Sequence, residues 1–298
     1  MRKIIVFILF LVISAIAFAQ ECEDKQYPPP ALNDSVRKIH EANLKQAQAK
    51  YMNDSTNAEH IIWYGRRLAY LGRYKEAIDV YTKGIKLFPK DARFLRHRGH
   101  RYITLRCFDK AIADLKLAAD LTKNQTDEIE EDGIPNAMNM PTSTLQTNIW
   151  YHLGLAYYLT GNFEKALPAY KECSRIAENS DMYVAAVNWE YITLRKLKRD
   201  KEADALLITI KPGIEIIENK DYLDILLMYR NKDEKALVEK TRAQETISSA
   251  TLGFALGNYY LLKGEQDKAI DIFRKITGGN QWSSFGFIAA EAELGRLK

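Results

Sequence analysis

From residue 58 onward, apolar residues recur at spacings of three and four. Trp150, Leu153 and Tyr157 form one such set, and Phe163, Ala166, Leu167 and Tyr170 form the next. This spacing lays an apolar stripe along one face of a helix. The stripes come in blocks of about a dozen residues and the blocks come in pairs. Gly72, Gly161 and Gly264 fall between the members of a pair, where a left-handed residue ends one helix and lets the next begin. Pro89 closes one pair, because proline cannot continue a helix. The pattern predicts an all-helical chain.

The pairs also repeat. Gly65, Leu68, Tyr74, Ala77, Tyr81 and Gly84 are followed, at one constant offset, by Gly99, Tyr102, Phe108, Ala111, Leu115 and Ala118. Gly154, Tyr157, Phe163, Ala166, Tyr170 and Cys173 hold the same places next, once an insertion at 124–144 is added to the period. Gly257, Tyr260, Ala269 and Phe273 continue the register. Small residues recur where two helix backbones approach, and large rings fill the gaps beside them. Trp150-x-x-Leu153-Gly154-x-x-Tyr157 with Phe163, Ala166 and Tyr170 resembles the tetratricopeptide repeat, a helix–turn–helix with a period of about 34 residues. The resemblance implies an all-α right-handed superhelical α-solenoid with units at 58–91, 92–125, 147–180, 184–217, 217–249 and 250–283. The fourth and fifth units depart most, with Tyr191 and Asp224 in place of the first-helix glycine. Residues 34–52, opened by Asp34 or Ser35, and residues 282–297 read as capping helices.

The ends of the chain change the picture. Arg2 and Lys3, an apolar run from Ile4 to Ile16 and Ala17-Phe18-Ala19 make a secretory signal over residues 1–19. Cleavage before Gln20 is favoured over a retained anchor, and residues 20–33 read as a flexible lead into a single solenoid domain over 34–298. Cys22 stands two residues too far from the small-residue box for a lipoprotein signal, so lipidation is the lesser alternative. With Cys107 and Cys173 the cysteines number three, which leaves at least one thiol free or joined to another chain. The net charge of +4 falls to +2 once Arg2 and Lys3 are removed, which gives no general pull toward nucleic acid or an anionic membrane. The chain is therefore read as exported, to the periplasm of a Gram-negative bacterium with outer-membrane association left open, and without a membrane span once mature.

In the repeat family the first helix of each unit faces a groove. That resemblance places Arg66, Arg93, Arg96 and His100 there, with Tyr151, Tyr158, Asn188, Arg195, Phe254 and Asn258 on later units. Residues 58–122 hold 14 Lys and Arg against 7 Asp and Glu, a local +7. Arginine pairs bidentately with carboxylate, so this stretch reads as a dock for an acidic or carboxylate-ended peptide, against the alternative of a solvated helix face. Ile62, Tyr151 and Leu155 stand where the chaperone-binding members carry Asn and Lys, so that clamp is not expected. The insertion at 124–144 carries Asp127, Glu128, Glu130, Glu131 and Asp132, spaced wrongly for a calcium loop. It reads as a mobile acidic loop beside a basic helix, a self-competitor for an acidic ligand. His97 and His100 lack a Cys or paired carboxylate nearby and read as surface histidines, so no metal or cofactor is expected. No zincin, nucleophile-elbow or phosphate-loop pattern occurs, and the chain is read as no enzyme.

The run Leu252 to Gly264 with Ala269 and Phe273, a divergent unit before it and an aromatic cap after it, is also similar to the NlpI-type envelope adaptor lipoproteins. The expectation is an exported scaffold that binds a partner protein or peptide, with homo-oligomers left open. A component of an envelope secretion or outer-membrane assembly complex is the alternative, and an unrecognised hydrolase the more distant one.

Overall fold

The computed structural model describes residues 22, 25–211, 213–242 and 246–297; the export signal read in residues 1–19 lies outside them. Among the described residues the chain forms fourteen helices and no strand beyond a single antiparallel bridge between Ile129 and Thr144. Helix α1 (Asp34–Asn53) precedes six helix pairs. These are α2 (Ala58–Tyr70) with α3 (Tyr74–Leu87), α4 (Ala92–Thr104) with α5 (Phe108–Thr122), and α6 (Leu145–Leu159) with α7 (Phe163–Ile176). They continue as α8 (Ser180–Lys196) with α9 (Asp200–Ile208), α10 (Lys220–Asn231) with α11 (Lys235–Thr241), and α12 (Ile247–Leu262) with α13 (Gln266–Thr277). Helix α14 (Phe285–Arg296) ends the solenoid.

Local chemistry sets these boundaries. Helices α2, α4, α6, α8 and α12 open on Asn57, Asp91, Thr144, Asn179 and Thr246, whose side chains accept a backbone N–H of the first turn. Such caps satisfy donors that the helix itself leaves orphaned. For α1 the cap is Asn33, one residue before the expected Asp34 or Ser35: its side chain accepts from Val36 N at 2.9 Å, and Asp34 lies inside the first turn. Inside the units, Gly72, Gly161 and Gly264 take φ near +77° in the turn between helices. Arg106, Lys198 and Lys232 occupy the left-handed turn in the other three units, where a side chain costs more than glycine. The fourth and fifth units have short second helices, nine residues in α9 and seven in α11 against fourteen in α3.

The main apolar core runs from Leu44 to Ala290 through the array, and a smaller cluster of Ala92, Leu95, Ala118, Ala119, Leu145 and Ile149 joins the second unit to the third. Helix α14 does more than cover the last unit. Gly286 lies so close to α12 that a Cβ there would stand 2.5 Å from the Ala250 carbonyl oxygen. Beyond its own unit, Arg296 donates to the carbonyls of Tyr158 (2.6 Å) and Leu159 (2.9 Å) at the end of α6. Arg106 reaches back from the turn of the second unit to Glu291 (2.6 Å) and to the Trp282 carbonyl (2.8 Å). The cap therefore ties the end of the array to its second and third units.

The N-terminal lead, expected to be flexible, is held against the same junction. Cys22 forms a disulfide with Cys107 across 85 residues of sequence. The Tyr27 ring stacks on Trp282 with centroids 4.4 Å apart, and Pro30 fills the space beside Gly72. Cys173 is the free thiol, fully buried, and burial pushes its pKa far up. No helix among the described residues is long and apolar enough to cross a membrane.

Candidate functional site

On α2, Arg66 and Arg67 follow Trp63 by three and four residues, so both guanidiniums stack on its ring, at 4.3 and 4.9 Å. On α4, Arg96, His97, His100 and Arg101 recur at three- and four-residue spacing and share one face. Between these two faces lies a cavity of about 310 Å³, lined among others by Arg66, Arg96, His97, His100, Arg101 and Glu130.

The acidic insertion supplies one wall of that cavity. Its base is closed by Glu130 N donating to Ser143 O and Leu145 N donating to Glu128 O. Asp127 fastens the same end by accepting from Gln146 N (2.9 Å) and from the Thr144 hydroxyl (2.5 Å). The segment between turns inward. Glu130 pairs with Arg96 at 2.9 Å, both side chains being largely buried. Arg66 donates to the Glu131 carbonyl and Arg67 to the Gly133 carbonyl, each at 2.7 Å. Gly133 lies against Tyr70 so closely that a Cβ would meet the hydroxyl at 1.8 Å.

The histidines are not on the surface as expected. His97 is buried and stacks on Tyr81, and its Nδ1 lies 3.0 Å from Arg96 Nη1, where it must accept. Burial first, and then the Arg96 charge, hold its pKa well below the ordinary histidine range. His100 packs against His152 at 4.4 Å and Phe285 at 5.2 Å and is also held well down, by burial and then Arg101. The positive field of the cavity thus comes from arginine alone.

The remaining expected groove residues part company. Tyr151, Tyr158, Asn188, Phe254 and Asn258 are all buried. The Tyr151 hydroxyl meets Tyr222 (2.9 Å) and accepts from Trp189 (2.8 Å), and Tyr158 donates to Glu293 on α14 (2.8 Å). Phe254 stacks on Trp189 at 5.5 Å, and Asn258 bonds back to its carbonyl at 3.0 Å. In front of Tyr151 and Tyr158 the space is filled by Tyr222 of α10 and by Phe285 and Glu293 of α14, and Phe254 is covered by Trp189, Tyr158 and Phe273. Arg93 is taken up by Asp91 and Glu59, and Arg195 by Asp200 and Asp204. The structure therefore brings Arg66, Arg96 and His100 to one cavity, while Tyr151 reaches His100 only through the shared neighbours His152 and Phe285.

Two family models for the tetratricopeptide repeat match this chain, at residues 65–125 and 147–180. The chain is a tetratricopeptide-repeat protein. Its sequence is 26% identical over 137 residues to the BBSome complex member BBS4 of Bos taurus, a match that covers 46% of this chain and 22% of that protein. This repeat chain thus spans about a fifth of the curated relative it matches. Among solved structures, a tetratricopeptide repeat protein from Parabacteroides merdae aligns over 86% of this chain and 94% of its own, with a TM-score of 0.50 and 17% identity, a likeness of fold alone. YrrB, described as a tetratricopeptide-repeat protein with an unusual peptide-binding site, aligns over 83% of this chain and 97% of its own at a TM-score of 0.45 and 14% identity.

Sequence reasoning missed Arg67, Arg106 and Glu293. For Arg106 a signal existed: it stands one repeat period after Gly72, so an arginine replaces the turn glycine of the register. Such a backbone cost marks a side chain needed in place. Arg67 and Glu293 gave no comparable sign, since each is one charge among many on a helix.

Proposed function

We propose that this chain is an exported, non-catalytic scaffold that binds a partner protein or peptide at the arginine-lined end of its first-helix face. The observation that carries the reading is the convergence of Arg66, Arg96 and Arg101 on one cavity between α2 and α4. Tetratricopeptide-repeat proteins are typically non-catalytic scaffolds, and surfaces of such arrays serve as extended binding faces. Guanidinium groups suit carboxylates, so an acidic or carboxylate-ended segment is the favoured ligand. Export is supported by the signal-like residues 1–19 and by the disulfide between Cys22 and Cys107, since disulfides persist in oxidising compartments. A sulfur held in a disulfide cannot also carry a lipid thioether, which favours a free periplasmic form.

The test is capture from an envelope extract by the mature chain, compared with two charge reversals. Arg101→Glu alters a half-buried residue that lines the cavity without an ion pair among the described residues. Lys83→Glu alters α3, where the ammonium hydrogen-bonds to the Tyr51 hydroxyl and lies over its ring. Loss of the partner with Arg101→Glu and its retention with Lys83→Glu is the expected result. Equal loss would mean that bulk charge alone mattered, and no loss would place the binding surface elsewhere.

A further inference from the structure

We infer that the arginine-lined site takes an extended acidic peptide, and that the chain's own residues 130–133 occupy it as an intramolecular stand-in. The inference rests on the partner-binding reading above and names the chemistry of the ligand.

The contacts of the resident segment are those of a bound peptide. One glutamate side chain, Glu130, enters to Arg96, and two backbone carbonyls, of Glu131 and Gly133, accept from Arg66 and Arg67. Carbonyls are common to every peptide, so two of the three contacts do not depend on sequence, and the third demands only a carboxylate. The recognition rule is an acidic residue with backbone carbonyls one and three places on to meet the arginines, and glycine at the third place, where Tyr70 leaves no room for a Cβ.

The fit of the stand-in is incomplete. Arginine and carboxylate are best matched by two parallel bonds. Here Arg96 and Glu130 make one ion-pair contact, and Arg96 Nε and Glu130 Oε2, both buried, hydrogen-bond to no protein group among the described residues. A buried polar atom left so is costly, and a ligand that engaged both would be preferred. The same cavity is lined also by His97, His100 and Arg101. The segment is joined to the array by an insertion whose Ile129, Ile134, Met138 and Met140 are exposed, so little apolar burial holds it down.

The experiment uses a labelled peptide of the chain's own residues 126–136 as probe, and fluorescence anisotropy as readout. It is titrated against the mature chain and against the same chain with residues 130–133 replaced by Gly-Ser-Gly-Ser, which keeps Asp127, the 129–144 bridge and the length of the insertion. A resident segment lowers apparent affinity by the fraction of molecules in which the site is open, so the replaced chain should bind the probe at least about tenfold more tightly. A probe carrying Gln at the position of Glu130 should bind it at least about tenfold more weakly, because the charge-assisted bond is lost. Binding should also weaken as salt rises. Equal affinity for the two chains, no binding to a replaced chain that keeps its helical circular dichroism, or indifference to the Gln substitution would each overturn the inference. Should the replaced chain not fold, Glu130→Gln in the full chain takes its place with the same order of affinities required. Envelope capture plays no part here, so failure of the scaffold reading and failure of this inference are told apart.

Discussion

The Cβ that Gly154 lacks would stand 2.7 Å from the ring of Tyr170, which projects from α7 and is fully buried against α6 and Trp189. The same pairing, sixteen residues apart, recurs between Gly65 and Tyr81 and between Gly257 and Phe273, so it is the contact that closes the first, third and sixth units. Gly154→Ala should therefore overpack the third unit and lower stability by about 1–3 kcal/mol. Gly295→Ala is the control, because a Cβ there meets nothing within 4 Å. Thermal melts of both variants decide the matter: a comparable loss from the two would mean that the ring contact is not what fixes the glycine.

Glu293 is buried with Lys196 at 2.7 Å, Arg296 at 2.9 Å and the Tyr158 hydroxyl at 2.8 Å. Its removal leaves partly buried cations with no counter-charge. Glu293→Ala should cost about 3–5 kcal/mol, the range for breaking one side of a buried pair. Hydrogen exchange should locate the effect on α14 and the end of α6 rather than on α2. Unchanged protection at Phe285–Arg296 would show that the cap is held by its apolar face alone.

The bond between Cys22 and Cys107 closes a loop of 85 residues, for which chain entropy alone gives stabilisation of about 4–5 kcal/mol. Cys107→Ser should lower the melting temperature and expose residues 25–33 to protease. In the envelope form, intact mass should match a chain beginning at Gln20, with that disulfide formed and Cys173 alkylated only after unfolding. A retained Met1, or an acyl group on Cys22, would end the export reading as stated.

Acid should destabilise the fold through its histidines. His97, His100 and His152 are all held well below the ordinary range, by burial first and then by neighbouring arginines. Unfolded, they take up protons near a pH of about 6.5, and folded they do not. Their contribution is complete above that pH and is lost as pH falls through it, by up to about 1.4 kcal/mol per unit for each. Urea midpoints should drop between about pH 7.5 and 5.5, and the slope should be shallower in a His97→Gln, His152→Gln double variant. A midpoint indifferent to pH over that range would contradict the burial of these rings.

The repeat, and with it the helices and their order, was legible in the chain because it rests on short-range facts. Apolar spacing, a turn glycine and a small residue opposite a ring each act within one unit, and recurrence from unit to unit multiplied the signal. The site was legible only in part. Arg66, Arg96 and His100 share a register and do meet. Tyr151, Tyr158, Asn188, Phe254 and Asn258 share that register too, yet lie buried, since register fixes which way a side chain faces and says nothing of what lies in front of it. What lies in front was decided by contacts across long stretches of chain: Arg106 with Glu291, Cys22 with Cys107, and Arg96 with an insertion that could have folded outward. The sequence by itself determined the unit, whose contacts span a few turns of helix. Only the tertiary structure decided where α14 and the acidic insertion came to rest: the insertion is held by arginines more than thirty residues away in sequence, and the place of α14 depends on the summed curvature of the units, to which each adds a small rotation that no local pattern records.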